Sequence, residues 1–355
     1  MTKFKADAFP LLIGSLPMKD HEAATRLILE FTPEIPLWAQ LPIYKEEGMA
    51  YQFLPGMPGF TESAAGKLFI DGTGDDFDAE YLAFYEEYLA VTEAGQGLET
   101  SRFTFTPETG RGFQEFIRQV DLDKDQNFKA LKGQITGPFT FTTSVTDNTG
   151  KAIFYNEQLR DAAVKHLAMN ARWQARTFKS RGFIPIIFLD EPALAGFGTS
   201  GYITVTRQEV TEVLTEVMDA VHQEGGLAGI HVCANTEWDM LLESGIDIIN
   251  FDAYTYFDRF ILYPDKIRAF IQRGGIIAWG IVPTADEDDI FRETQETLAQ
   301  KLEEQIRELE RLGIDRTTLI SQSLITPSCG TGAISFDAAQ RVLSLTRDLS
   351  RKIRS

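Results

Sequence analysis

The sequence has few cysteines and comparatively few basic residues. Two of its 355 residues are cysteine, which is too few for a disulfide framework and is typical of metal ligands or buried thiols in a reducing compartment. Lysine and arginine number 34 against 52 aspartate and glutamate residues, giving a formal net charge of -18. Nucleic acids and anionic membranes attract basic surfaces, so this excess of acid argues against both as partners.

The N-terminal stretch lacks a long uninterrupted apolar segment. Pro10, Gly14 and Pro17 interrupt it, which argues against a signal peptide or a membrane span. We therefore expect a soluble cytoplasmic protein. A chain of this length can form one large α/β barrel or two ordinary domains, and length alone does not decide between them.

Short apolar runs alternate with helix-period segments along the chain. Around residues 210–221, for example, apolar side chains recur at the i, i+3, i+4 and i+7 spacing of a helix that packs on a sheet. Eight such alternations favour an α/β fold of the (β/α)8 barrel type over a doubly wound sheet. The candidate strands are Pro10–Leu16, Lys67–Asp71, Lys132–Phe139, Ile184–Asp190, Leu227–Cys233, Ile246–Asp252, Gly275–Val282 and Leu319–Thr326.

Two stretches do not fit the repeat, and we predict that they are insertions after the first two strands. Glu34–Ala65 holds four of the 14 prolines, and Thr92–Asn127 is charged and aromatic. Loops on the carboxyl side of barrel strands build active sites, so we expect these insertions to be ordered lids. We predict a single barrel domain over residues 1–355.

The stretch Gly226–Cys233, GLAGIHVC, carries the strongest chemical signal. Side chains alternate along a strand, so His231 and Cys233 share one face at its end. The other cysteine, Cys329, also follows a strand-like run. One imidazole and two thiolates would give zinc three protein ligands and leave a fourth position open, which is the pattern of catalytic zinc sites. An inert buried thiol is the alternative for each cysteine.

Acidic residues end two other predicted strands. Asp190 and Glu191 follow an apolar run, and adjacent residues of an extended chain point opposite ways. We predict that Asp190 faces the pocket, where its carboxylate can hold an ammonium group or take up a proton. Asp252 has inward parity and is a candidate fourth zinc ligand that a substrate displaces; a helix cap or a solvated loop acid explains it equally well.

Five motifs together resemble the catalytic domain of cobalamin-independent methionine synthase. They are IGSLP from Ile13, TGPFT from Thr136, LDEPAL from Leu189, HVC from His231, and PSCG around Cys329. The resemblance covers essentially the whole chain in order. It implies a barrel of the superfamily that this domain shares with corrinoid-dependent zinc methyltransferases and uroporphyrinogen decarboxylase.

The resemblance implies roles for particular residues. The positions that match the family's zinc ligands are His231, Cys233, Asp252 and Cys329, with aspartate in place of the usual glutamate. Those that match contacts to the homocysteine amino acid moiety are Ile13, Ser15 and Asp190. Glu47 is the candidate counterpart of a glutamate that binds the amino group.

The implied function is zinc-dependent methyl transfer to a thiol, with homocysteine giving methionine. Two departures from the family bear on the methyl donor: 355 residues hold no second, N-terminal barrel, and the segment TFTTSVTDNTG lacks a tryptophan associated with folate. Short single-barrel relatives are thought to accept methyl groups from a corrinoid protein, which implies such a protein as donor here.

Three alternative functions stay open. The chain could be a corrinoid-dependent methyltransferase for another thiol, such as coenzyme M. It could be a decarboxylase of the uroporphyrinogen type, although the sequence has no arginine-rich start to bind several substrate carboxylates. In a different class, it could be a non-catalytic module that binds zinc or senses thiols.

Overall fold

Parallel strands separated by helices make up most of the computed structural model, which describes residues 4–95, 97–123 and 127–355. Residues 96 and 124–126 of the predicted insertion Thr92–Asn127 lie outside the described residues. The strands are β1 Phe9–Pro10, β2 Phe60–Glu62, β3 Leu68–Ile70, β4 Ala130–Thr136, β5 Ile184–Asp190, β6 Leu227–Val232, β7 Ile248–Phe251, β8 Ile276–Val282 and β9 Ser323–Pro327.

The helices lie mainly between the strands of the large sheet. They are α1 His21–Phe31, α2 Phe77–Ala94, α3 Arg111–Leu122, α4 Pro138–Ser144, α5 Glu157–Lys179, α6 Arg207–Gln223, α7 Trp238–Glu243, α8 Ala253–Phe260, α9 Pro264–Gln272, α10 Glu287–Arg292, α11 Gln295–Arg311, α12 Arg316–Ser321 and α13 Phe336–Arg354. Among the described residues, no helix combines the length and the apolar character needed to cross a membrane.

Seven strands form one parallel sheet in the order β1, β9, β8, β7, β6, β5, β4. Its two edges are joined by a short segment of the chain, because Leu37 pairs with Lys132 on β4 and Gln40 pairs with Ser15, both in parallel. The sheet therefore curls back on itself through an eighth strand position. This arrangement confirms the predicted (β/α)8 barrel.

The sequence prediction misplaced the second barrel strand. Lys67–Asp71 contains β3, which pairs antiparallel with β2 in a separate hairpin. The second barrel position is instead taken by residues 37–40, inside the predicted insertion Glu34–Ala65. Flanking prolines and single bridges make this segment too short and irregular to show a strand pattern.

The start of the last predicted strand was also wrong. Leu319–Thr326 begins inside α12, and only its second half belongs to β9. Asp315 explains the helix, because its carboxylate accepts a hydrogen bond from the backbone N–H of Thr318 at 3.0 Å and so caps the first turn.

The inside of the barrel is apolar at its base and polar nearer the carboxyl ends of the strands. The apolar side chains that share one buried cluster include Phe9, Leu11, Ile186, Phe188, Ile248, Ile276 and Leu324. Above them lie four buried polar side chains, which we call the polar layer: Lys132, Gln134, Asn250 and Thr326. Burying such groups is costly unless they are hydrogen-bonded, and apolar packing alone does not require them. The polar layer therefore separates the apolar base of the barrel from the carboxyl ends of its strands.

Candidate metal centre

A cavity of 320 Å³ opens at the carboxyl ends of the barrel strands. Of the residues predicted for the site, those that line it are Ile13, Ser15, Glu47, Asp190, His231, Cys233 and Cys329. A second, larger depression of 710 Å³ is lined by side chains of α6 alone, so it brings no groups from different elements together. The smaller cavity is therefore the candidate site.

The three predicted metal ligands converge in this cavity. The ligand atoms of His231, Cys233 and Cys329 all lie within 4.8 Å of one another. His231 lies in β6 and Cys233 directly follows the strand, two positions further on, so both can face the same side, and Cys329 reaches them from the loop after β9. One nitrogen and two sulfur ligands suit zinc, so this buried group can hold a metal ion such as zinc.

The histidine of this group has one ring nitrogen engaged and one free. Nδ1 of His231 contacts Oδ1 of Asn250. Nε2 is buried and has no hydrogen-bond partner among the described residues. A buried nitrogen without a partner is costly in an inert core but is what a ligand atom needs.

The two thiols influence each other strongly. The hydrogen bond from the Cys329 thiol, together with the neighbouring imidazole of His231, lowers the pKa of Cys233. The same contact with Cys233, added to burial, raises the pKa of Cys329. Burial opposes a charge on His231, but Cys233 and Asp190 outweigh it and raise the pKa of that imidazole. One thiolate is therefore favoured here even without a metal ion.

The two acids at the end of β5 point in opposite directions. Asp190 lines the cavity, its Oδ1 has no hydrogen-bond partner among the described residues, and burial raises its pKa. Glu191 turns away and is fully buried. Its carboxylate accepts hydrogen bonds from the N–H of Phe139 at 2.9 Å, the N–H of Thr140 at 2.7 Å and the hydroxyl of Thr140 at 2.6 Å. Glu191 thus ties the end of β5 to the start of α4.

Two other cavity residues are held by contacts of their own. One oxygen of Glu47 lies 2.6 Å from Nε2 of His21, and the other accepts from the N–H of Leu41 at 2.7 Å. The hydroxyl of Ser15 accepts from the N–H of Gly332 at 3.1 Å, which links the segment that follows β1 to the loop that carries Cys329.

Asp252 lies apart from the convergent group. It is not among the residues that line the cavity or make up the His/Cys/Cys group. Its carboxylate accepts from the N–H of Thr255 at 2.9 Å and caps α8. The structure therefore favours the helix-cap alternative over the ligand role for Asp252.

Sequence reasoning overlooked Lys132, which is fully buried in β4. Its Nζ donates to the carbonyl oxygen of Ile13 at 2.5 Å and to Oε1 of Gln134 at 3.2 Å, and it lies 4.7 Å from the ring centroid of Phe188. Burial lowers the pKa of Lys132 to about 8, with Asp190 opposing the shift. The alternation of Lys132, Gln134 and Thr136 along β4 is the signal that could have revealed this inward polar face.

No protein-family model matches the chain, and no curated protein matches it. Among solved structures, it is similar to a B12-independent methionine synthase from a Shewanella species in complex with selenomethionine, with 18% identity and a TM-score of 0.47 over 68% of this chain and 66% of that one.

Two other similar structures are those of a glucosaminidase and a mannanase. The pneumococcal exo-beta-D-N-acetylglucosaminidase StrH is 9% identical, with a TM-score of 0.47 over 98% of this chain and 85% of that one. A Cellulomonas fimi endo-beta-1,4-mannanase double mutant is 12% identical, with a TM-score of 0.37 over 96% and 76%. Likenesses this distant do not indicate a function, and the barrel follows from the strand pairing of the chain itself.

Proposed function

We propose that this protein is a zinc-dependent methyltransferase that transfers a methyl group to the sulfur of homocysteine. The observation that carries the proposal is the convergence of His231, Cys233 and Cys329 within 4.8 Å in a cavity that is also lined by Asp190, whose buried Oδ1 has no hydrogen-bond partner among the described residues. A thiol substrate with an amino group needs both kinds of contact, one for its sulfur and one for its ammonium.

The bound zinc ion would supply an open coordination position at which a substrate thiol loses its proton, whereas a free thiol with a pKa of about 8.5 is mostly protonated at neutral pH. His231, Cys233 and Cys329 would hold that ion. As metal ligands, both cysteines would be deprotonated, and their thiolates would leave the site electron-rich, which favours a nucleophilic substrate sulfur.

Asp190 would orient the substrate. Asp190 lines the cavity and its buried Oδ1 has no donor among the described residues, so a substrate ammonium would satisfy it with a charge-assisted hydrogen bond. Ile13, Ser15 and Glu47 line the same cavity and would surround the amino acid moiety. Fixing the substrate in this way contributes to the rate by positioning its sulfur for in-line attack on the methyl group.

A corrinoid protein is the methyl donor that we propose. The cavity of 320 Å³ lies at the small end of the range for small-molecule sites, which suits an amino acid more than an amino acid and a second large ligand together. A methyl group carried on a separate protein would be presented at the mouth of the barrel, where the strands end.

The test is methyl transfer by the zinc-loaded protein. Purified protein is incubated with methylcobalamin and either homocysteine or coenzyme M, and the methylated thiols are identified by mass spectrometry. We expect methionine from homocysteine, and methyltetrahydrofolate as donor should give none. The matched variants are His231→Gln, which should abolish both zinc binding and transfer, and His222→Gln, which should change neither, because His222 pairs with Asp247 away from the cavity.

The alternatives predict different results. Methylation of coenzyme M but not of homocysteine would mean that coenzyme M is the substrate. Decarboxylation of a tetrapyrrole carboxylate would mean that the protein is a decarboxylase and not a methyltransferase. A zinc-replete protein that methylates no thiol from any donor would contradict the enzymatic proposal and support a binding module.

A further inference from the structure

Nδ1 of His231, the ring nitrogen that is not free to bind a metal, contacts the side chain of Asn250. The proposed function assigns no role to this asparagine. Asn250 lies on β7, directly beside His231 in the strand register, and is fully buried. Its Oδ1 contacts Nδ1 of His231. Its Nδ2 points away, 2.9 Å from the carbonyl oxygen of Ala278 and 2.7 Å from Oγ1 of Thr326. Four strands, β6 to β9, thus meet through one amide.

These contacts decide which way the amide of Asn250 faces. A backbone carbonyl only accepts hydrogen bonds, so the group that faces Ala278 must be the NH2 and the atom that faces His231 must be the oxygen. An amide oxygen only accepts, so Nδ1 of His231 must carry a proton. In the neutral imidazole, Nε2 then keeps its lone pair. This is the buried atom that has no partner among the described residues.

We propose that Asn250 is a positioning residue that holds neutral His231 in the tautomer whose Nε2 lone pair faces the metal centre. The inference rests on the zinc site of the proposed function, but not on which donor or thiol the protein uses. The partner of one ring nitrogen sets the tautomer and orientation of a ligand histidine, so removing it should weaken metal binding by about 10- to 100-fold.

The hydrogen bonds of Asn250 explain how it can fix the tautomer of His231. Both hydrogens of its NH2 group are used, on Ala278 and Thr326, so the amide cannot rotate without losing two hydrogen bonds and placing an oxygen against a carbonyl oxygen. Each strand neighbour is itself fixed in the barrel sheet. The acceptor is therefore held in place before any metal arrives, which lowers the cost of ordering the ligand.

The first experiment measures the tautomer directly. Metal-free protein with isotope-labelled histidine is studied by NMR at a pH high enough to neutralise the imidazole, and the His231 signals are assigned with the His231→Gln variant. We expect a protonated Nδ1 and an unprotonated Nε2 in the wild type. A wild type in which Nε2 carries the proton would overturn the inference, and this result needs no folded variant at position 250.

The second experiment compares three variants by equilibrium zinc affinity, measured by competition with a chromogenic chelator. Asn250→Leu removes the acceptor and should lose about 10- to 100-fold in affinity together with the tautomer preference. Asn250→Asp keeps an oxygen at Nδ1 and should retain the tautomer, whereas its second oxygen would lie against the carbonyl oxygen of Ala278 and should lower the stability of the protein. Thr326→Val disturbs the same buried contacts without touching His231, and it should cost less than Asn250→Leu.

The outcomes separate this inference from the proposed function. Equal affinity losses in Asn250→Leu and Thr326→Val, with an unchanged His231 tautomer, would mean that Asn250 serves packing only and would overturn the inference. A protein that binds zinc as expected but transfers no methyl group would contradict the proposed function and leave the role of Asn250 intact. If Asn250→Leu does not fold, the wild-type spectrum still decides.

Discussion

Gly330 offers a sharp test of how the loop after β9 positions its cysteine. It directly follows Cys329, and a Cβ added at position 330 would lie 2.2 Å from the Oγ of Ser15 and 3.4 Å from its Cβ. The first distance is far below van der Waals contact, whereas the second requires only a small adjustment. Alanine at this position must therefore either rotate the Ser15 hydroxyl away, which breaks its hydrogen bond from the N–H of Gly332, or push the loop away from Ser15 and carry Cys329 with it.

The expected size of the effect follows from the clash. Overpacking in a closely packed region costs about 1–3 kcal/mol. If that strain is relieved by moving the loop, the metal site loses the same free energy, which corresponds to about a 5- to 150-fold weaker zinc affinity. The assay is chelator competition on Gly330→Ala, with Gly245→Ala as the matched control because its added Cβ would meet no atom closer than 3.9 Å.

A double-mutant cycle tests the stated cause. Removing the Ser15 hydroxyl in Ser15→Ala takes away the atom that lies at 2.2 Å, so the Gly330→Ala substitution should cost much less in that background. We expect a coupling of about 1 kcal/mol or more between the two substitutions. Strictly additive effects, or an unchanged zinc affinity in Gly330→Ala, would refute the reasoning.

Three further predictions concern other residues of the barrel interior. Burial lowers the pKa of Lys132 from 10.5 to about 8. Below pH 8 the buried ammonium therefore lowers the free energy of unfolding by about 3 kcal/mol, and this destabilisation decreases as the pH rises from 8 towards 10.5. The difference in thermal stability between Lys132→Met and the wild type should change over that range, and a constant difference would argue against a charged buried lysine. Glu191→Gln places an amide against N–H and O–H donors, and we expect about 1–3 kcal/mol lower stability with zinc content unchanged. Asp252→Ala should lose a cap worth about 1 kcal/mol and keep its zinc, whereas loss of zinc would restore the ligand role.

Long apolar strands were the part of the fold that the sequence predicted best. Ile184–Asp190 was predicted with the bounds that β5 has, because a branched apolar run ends there in two acids and a proline. Residues 37–40 were missed, since a strand position held by single bridges between prolines has no periodicity to detect. The prediction assigned the second barrel strand to β3 instead, because a short apolar run does not show which strand it pairs with.

The site was predictable where chemistry and alternation coincide. His231 and Cys233 are two positions apart, so strand geometry alone puts them on one face, and the barrel hypothesis then brings Cys329 to the same mouth. The buried Lys132 and the contact of the Asn250 amide with His231 were not predicted. The alternation along β4 could have shown that Lys132 faces inward, but the partners of Lys132 and Asn250 lie on distant parts of the chain, which no local pattern in the sequence encodes.

The metal content of the purified protein tests the central claim most directly. Elemental analysis is made on wild-type protein and on Cys329→Ala, both purified under reducing conditions without added metal. We expect about one zinc ion per wild-type chain and almost none in the variant, because Cys329 completes a group of three ligands. No zinc in the wild type, even after supplementation, would mean that both cysteines are buried thiols and would contradict the account of this site.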